Sequence, residues 1–310
     1  MDLYSRAHEF PQTLLGGGVA LSYAELRERG ATKHALWWRA NHKRLLRPHR
    51  GAYVVGRNEP DLLDAVRAAL LVSPPLAVVG FHTAAALLGF GVVPSTNIHI
   101  VVPFDSPVPQ RTGITAHQSV VPVGEPIDVL GVPCTPAARC VLDLARGLPR
   151  MDALPVLDAA LSSRRCEPDD LQAELKLYDG LRGIRQARDL VPLADPRPQC
   201  RQESQLRLIL HDGGIRDFVP QVPVLDDRGY PRHFLDLGDE QSRVAAEYDG
   251  TSHRDRGRLR ADRDRHNWLE GRDWRMRYFT DHDIYFRAPG IIQTVNAARR
   301  AARSRAWSRG

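Results

Sequence analysis

From Glu203 to Phe279 the chain sets apolar alternating runs and helical runs in an order that few folds accept. Helical periodicity covers Glu203–His211. Strand-like alternation covers Val219–Leu225, His233–Leu237 and Val244–Asp249. A long helix over Arg258–Glu270 stops at Gly271, and a further strand covers Arg275–Phe279. Thr280 with Asp283 forms a capping pair for one more short helix. This order predicts a mixed sheet flanked by helices. A polar, proline-rich stretch, Ala194–Pro198, separates it from what precedes.

The same strands carry acids. Period-two alternation puts Ala245, Glu247 and Asp249 on one face. Asp236 is expected to end the preceding strand, with a short turn through Gly238–Gln241 bringing it beside Glu247. Carboxylates placed so closely repel one another unless a cation neutralises them. Hard oxygen ligands favour Mg²⁺ or Mn²⁺, which activates water and stabilises a phosphate leaving group. Glu203 aligns with Leu206 and Leu210 at the edge of its helix's apolar face. It either reaches toward the sheet or only complements the helix dipole. Arginines 254, 256, 258, 260, 263 and 265 interleave with Asp255, Asp262 and Asp264. Part of that run is a self-paired solvated face, and one or two of these arginines are expected to meet phosphates.

The N-terminal segment has a different signature. Ser22 with Glu25 caps a helix over Tyr23–Arg29 that stops at Gly30, and a second helix follows Thr32 to about Asn41. Leu45–Gly56 reads as strand, turn and strand. Helix, turn, helix and hairpin is the order of a winged helix-turn-helix. No acid occurs from Thr32 to Arg50, whereas Lys33, Arg39, Lys43, Arg44, Arg47 and Arg50 do. One-signed charge on a recognition helix and wing suits duplex DNA. Trp37 and Trp38 cannot both face the core. The middle of the chain carries helices over Asp61–Leu71, Phe81–Gly89, Ala137–Arg146, Met151–Leu161 and Asp169–Leu177, with one strand over Asn97–Val102.

Composition bounds the rest. A chain of 310 residues suits two or three domains, and a net charge of +6 with pI about 9.4 favours polyanions. No apolar run is long enough for a membrane span, and the N-terminus lacks a signal peptide, so a cytoplasmic protein is expected. Cys134, Cys140, Cys166 and Cys200 are too scattered for a zinc knuckle or a disulfide framework. Gly16–Gly18 lacks the context of a phosphate loop. His82, just before a helix, reads as a capped or packed histidine.

Two resemblances add to this. Glu203–Arg207, Phe234–Leu237, Val244–His253, Asp264–Arg265 and Trp274–Thr280 together resemble the Vsr-like repair endonucleases of the PD-(D/E)xK superfamily. The resemblance implies Asp236 as central metal ligand, Glu247 as second acid, Glu203 as the helix-borne acid and His253 as an auxiliary group. The superfamily's usual lysine is here Asp249. It is expected to bind the metal or to orient His253 as a base. Leu21–Leu26, Arg50–Val55 and Thr83–Gly89 resemble the AbiEi-like antitoxins, which repress their own promoters and pair with a nucleotidyltransferase-like toxin. The expected α/β (α+β) architecture is therefore a winged helix over 1–56, an AbiEi-like connector over 57–195 and a Vsr-like domain over 196–310. The expected function is Mg²⁺-dependent DNA cleavage or nicking. The alternatives are a non-catalytic antitoxin or repressor that keeps the nuclease fold as a platform, and an interaction scaffold that never touches DNA.

Overall fold

The computed structural model describes residues 19–42, 45–56, 59, 61–91, 95–108, 110–250 and 256–307. The chain divides into two units, Met1–Leu144 with Ala173–Gly180, and Ala145–Gln172 with Leu181–Gly310. In the first, β1 (Val19–Ser22) runs into α1 (Tyr23–Glu28). The Ser22 hydroxyl accepts the Glu25 N–H at 3.1 Å, and the Glu25 carboxylate accepts the Ser22 N–H at 2.7 Å. Thr32 starts α2 (Lys33–Asn41) by accepting the Ala35 N–H at 3.2 Å. β2 (Leu46–His49) and β3 (Ala52–Val55) complete an antiparallel sheet in the order β1-β3-β2. Leu26, Ala35 and Leu36 pack on Leu21, Tyr53 and Val55. On the opposite face, α3 (Leu62–Leu70), capped by Asp61 with Asp64, sets Ala68 against Ala52 and Val54.

β4 (Val78–Val79), α4 (Phe81–Leu88), β5 (Ile98–Pro103), β6 (Ile114–Ser119), β7 (Ile127–Val129), β8 (Val132–Cys134) and α5 (Ala137–Gly147) follow. Their five strands form a mixed sheet in the order β6-β5-β4-β8-β7. The sequence signals only one of these strands. β4 has two residues, β6 reads Ile-Thr-Ala-His-Gln-Ser without apolar alternation, and the parallel β4–β8 pair joins distant parts of the chain at Val79 and Cys134. Fully buried Arg139 is satisfied by Asp143 at 2.7 Å, Ser119 Oγ at 2.7 Å and the Val121 and Pro122 carbonyls. The Tyr178 hydroxyl donates to Asp143 at 3.0 Å, fastening residues 173–180 to this unit.

In the second unit, α6 (Arg150–Ser162), α7 (Pro168–Leu175) and α8 (Ile184–Leu190) lead to α9 (Arg201–Asp212). α6 lies along α9. Gln205 donates to the Met151 carbonyl at 3.0 Å, Arg207 to Asp158 at 2.8 Å and Arg150 to Asp212 at 2.8 Å. β9 (Val219–Leu225), β10 (Pro231–Asp239), β11 (Val244–Tyr248), α10 (Arg256–Glu270), β12 (Arg275–Phe279), α11 (Asp281–Phe286) and α12 (Ala288–Trp307) complete it. The sheet order is β12-β11-β10-β9, antiparallel except for the β11–β12 pair, which α10 joins as a crossover. Leu206, Ile209 and Leu210 of α9, Ile284 of α11 and Val295 of α12 cover one face at Leu237, Val244 and Ala246. Leu269 of α10 and Trp274 cover the other at Val222, Val224, Ala245 and Met276. β9 and β12 are the two edge strands, and β9 carries Pro220 and Pro223.

Three local expectations change. β10 continues to Asp239, so Asp236 lies within a strand rather than at its end. Asp239 closes the turn by accepting the Gln241 N–H at 3.1 Å and the Ser242 hydroxyl at 2.6 Å. β11 stops at Tyr248, one residue short of Asp249, whose N–H still donates to the Phe279 carbonyl of β12. α10 starts at Arg256 rather than Arg258, and the last helix, α12, starts at Ala288 with Pro289 in its first turn, where a missing N–H costs nothing. Among the described residues, no helix is long and apolar enough to cross a membrane.

Candidate functional site

The second unit gathers its acids where four elements meet. The register that pairs Leu237 with Ala246 puts Asp236 of β10 next to Glu247 of β11, and the Asp236 carboxylate accepts the Tyr248 N–H at 2.9 Å. Glu247 shares the face of Ala245, toward α10, and is buried. There Arg265 of α10 grips it with both terminal nitrogens, at 2.5 and 2.6 Å, while also donating to the Phe234 carbonyl at 2.8 Å. Glu203 of α9 is also buried, and one carboxylate oxygen accepts the Gln199 N–H at 2.9 Å and the Gln221 side-chain amide at 3.0 Å. Gln221 sits in the left-handed region at φ 53°, where a side chain other than glycine is strained. That conformation accompanies its hydrogen bond to Glu203.

The electrostatics follow from this crowding. Burial pushes the Asp236 carboxyl up to about 7, helped by the charges of Glu203 and Glu247 and opposed by the Tyr248 N–H and Arg265. Arg265 is held above the usual arginine range first by its hydrogen bond to Glu247. Burial and the Glu247 charge push Tyr278, on β12, up to about 12, and its hydroxyl lies 3.1 Å from His266 Nδ1.

The structure therefore brings Glu203, Asp236 and Glu247 together, with Asp249 just past the end of β11, where its charge, like that of Glu247, acts on Tyr278. Asp249 is exposed, and its N–H donates to the Phe279 carbonyl at 2.8 Å. His253 lies outside the described residues. The donor set does not fit Mg²⁺ or Mn²⁺ as it stands. Both oxygens of Glu247 are engaged by a guanidinium, and Glu203 and Asp236 each use one oxygen to accept protein N–H groups, two at Glu203 and one at Asp236. Among the described residues, no group of three or more His, Cys, Asp or Glu side chains is arranged to hold a metal ion. Sequence reasoning missed Gln221 and the particular role of Arg265, which lies one turn before buried Leu269 in a helix crowded with other arginines.

In the first unit, Lys33, Trp37 and Asn41 form an exposed stripe on α2 at intervals of four residues, and Trp37 is 60% exposed. Trp38 is half-buried and stacks on His42, with ring centroids 4.4 Å apart. Arg47 is exposed beside the Tyr53 ring at 5.8 Å, Arg50 is exposed in the hairpin turn, and Arg39 is half-buried. Lys43 and Arg44 lie outside the described residues. Buried His49 ties the hairpin to the middle sheet through the Thr112 carbonyl at 3.2 Å.

A second cluster had no signal in the sequence. His99 of β5 lies between Ser95 Oγ and His117 Nε2 of β6, each at 2.9 Å, and the His82 ring is 4.9 Å away. Burial lowers His99 to about 4, with the charges of His117 and His82 adding to the effect. His82, expected as a capped or packed histidine, is half-buried and packs in this histidine group.

Comparison with known proteins matches residues 77–193 to the AbiEi antitoxin C-terminal domain. The match begins behind the helix–helix–hairpin, so the expected AbiEi likeness of the N-terminal segment is corrected to the middle of the chain. The Vsr-like expectation rests on its quoted motifs alone. Two uncharacterized proteins of Mycobacterium tuberculosis, from strains CDC 1551 / Oshkosh and ATCC 25618 / H37Rv, are each 35% identical over 206 residues. The alignment spans 66% of this chain and 73% of each relative. The chain belongs to the family of these mycobacterial proteins and carries the AbiEi antitoxin C-terminal domain at residues 77–193.

Proposed function

We propose that this chain is a DNA-binding regulator of the AbiEi antitoxin kind. The region from β1 to β3 acts as a winged helix on duplex DNA, and the C-terminal unit acts as a nuclease-like platform that binds without cutting. The observation that carries this reading is the antitoxin-domain match directly behind the helix–helix–hairpin. The acid-free run with exposed Lys33, Trp37, Arg47 and Arg50 supports the DNA contact. An antitoxin implies a toxin, and a nucleotidyltransferase-like toxin is the partner this resemblance points to. The test is fluorescence anisotropy of the full chain on duplex DNA from upstream of its own gene. Lys33→Ala/Arg47→Ala/Arg50→Ala should weaken binding and flatten the salt dependence by up to about one unit of log–log slope per lost phosphate contact. Unchanged affinity and slope would refute the winged-helix reading.

The convergence of Glu203, Asp236 and Glu247 favours a second reading, phosphodiester cleavage, with Asp249 and His253 as auxiliary groups. Plasmid incubated with the full chain in Mg²⁺ or EDTA decides it. Nicking that needs the metal and disappears in Glu247→Gln supports cleavage, and intact plasmid retires it.

A further inference from the structure

We propose that Arg265 is the resident cation of the Glu203–Asp236–Glu247 site and that its guanidinium closes the site to divalent metal ions. This deepens the reading of the C-terminal unit as a platform that binds without cutting, and it rests on that reading for its functional meaning. Three carboxylates brought together need positive charge, and either a bound ion or a basic side chain can supply it. Here the basic side chain is in place. Arg265 spans Glu247 with two parallel hydrogen bonds, at 2.5 and 2.6 Å, a geometry that engages both oxygens through which a metal would be held. Its third bond, to the Phe234 carbonyl at 2.8 Å, ties the guanidinium to β10 as well as to β11. Leu269, one turn further along α10, is fully buried against Val222, Val224 and Ala245, so the helix bearing Arg265 is anchored.

The other acids are arranged in the same sense. Asp236 is occupied by the Tyr248 N–H, and Glu203 by Gln199 and Gln221. Gln221 holds a strained left-handed backbone while it donates to Glu203. A site arranged for a metal leaves carboxylate oxygens facing a common point, whereas this one directs protein donors at both oxygens of Glu247 and at one oxygen each of Asp236 and Glu203. A divalent ion entering beside Glu247 would also face the fixed positive charge of Arg265.

The experiment titrates Mn²⁺ alone into the full chain, by calorimetry and by loss of the free-ion spin-resonance signal. It uses wild type, Arg265→Gln, Arg265→Met, and Arg265→Gln with Glu247→Gln. Wild type should take up no Mn²⁺ below about 1 mM, whereas the single variants should bind one ion at least about tenfold more tightly. The double variant should lose that gain. Equal Mn²⁺ affinity in wild type and Arg265→Gln overturns the proposal, as does a folded Arg265→Gln and Arg265→Met pair that binds none. If neither single variant folds, wild type decides: Mn²⁺ binding that Glu247→Gln abolishes overturns the proposal, and no binding sustains it. Duplex binding by wild type is measured separately. Its absence would sink the regulator reading while leaving the metal result intact.

Discussion

Replacing Arg207 with methionine tests whether the α6–α9 contact is an integral part of the second unit. Asp158 of α6 is 3% exposed at its side chain and receives Arg207 Nη2 at 2.8 and 3.0 Å and the Asp195 N–H at 2.8 Å. Burial holds the Asp158 carboxyl above the usual carboxylate range even though Arg207 pulls it down. Methionine keeps most of the stem volume and removes the charge. Removing one partner of a buried pair costs about 3–5 kcal/mol, since the other charge stays behind without compensation. Two features of the site decide where in that range the loss falls. The Asp195 N–H remains, and Asp158 can take up a proton, both of which soften it. Against that, Arg207 Nη1 also donates to the Leu193 carbonyl at 2.5 Å, a bond worth about 1 kcal/mol. The expected loss is about 3–4 kcal/mol. Urea unfolding at pH 7, followed by tryptophan fluorescence and far-UV circular dichroism, measures it. Asp158→Asn/Arg207→Met should recover at least about half, because two neutral groups leave no buried charge. A loss below about 1 kcal/mol in the single variant, or strictly additive losses in the double, would refute the reasoning.

Two further outcomes are expected. Gly183 has φ +81°, and a Cβ there would sit 2.1 Å from the Arg146 carbonyl oxygen, so Gly183→Ala should lower stability by at least about 3 kcal/mol. Gly180→Ala, at φ +77° with open space around it, should lose only about 1 kcal/mol, and equal thermal midpoints for the two would contradict the clash. The lowered His99 makes the fold favour its neutral ring, so its contribution is complete above about 6.5 and is lost as pH falls toward about 4. Fully felt, that shift is worth roughly 3 kcal/mol, and solvent screening of a partly exposed ring reduces it to about 1–2 kcal/mol. His99→Asn should flatten the stability profile across this window, and an unchanged acid limb would rule the cluster out as its source.

Local signals were the legible ones. The Ser22–Glu25 and Thr280–Asp283 caps fall at the expected helix starts, and β12 has the expected limits, because each depends on residues within a few positions. The meeting of Asp236 with Glu247 was legible too, since a short hairpin fixes its own register. The middle sheet was not. Its two-residue β4 and polar β6 acquire strand geometry from the strands they pair with, β8 far along the chain for β4 and the preceding β5 for β6. Arg265 was hidden for a different reason. In a helix with many arginines, only the three-dimensional approach to Glu247 distinguishes it. The end of β11 was read one residue too far, at Asp249, because the backbone pairing with β12 runs on to the Asp249 N–H.

One of the two edge strands of the second unit, β9, has a consequence for how copies of this molecule meet. An outermost strand with regular donors and acceptors is a template on which another chain can pair, and repetition of that pairing makes fibres. β9 has seven residues, and Pro220 and Pro223 supply no N–H. Gln221 between them breaks the flat run with its left-handed backbone. An incoming strand meets an interrupted ladder there, so polymerisation along this edge is disfavoured even when the protein is crowded. The same strand that helps frame the acid cluster therefore also guards its own edge of the sheet against such pairing.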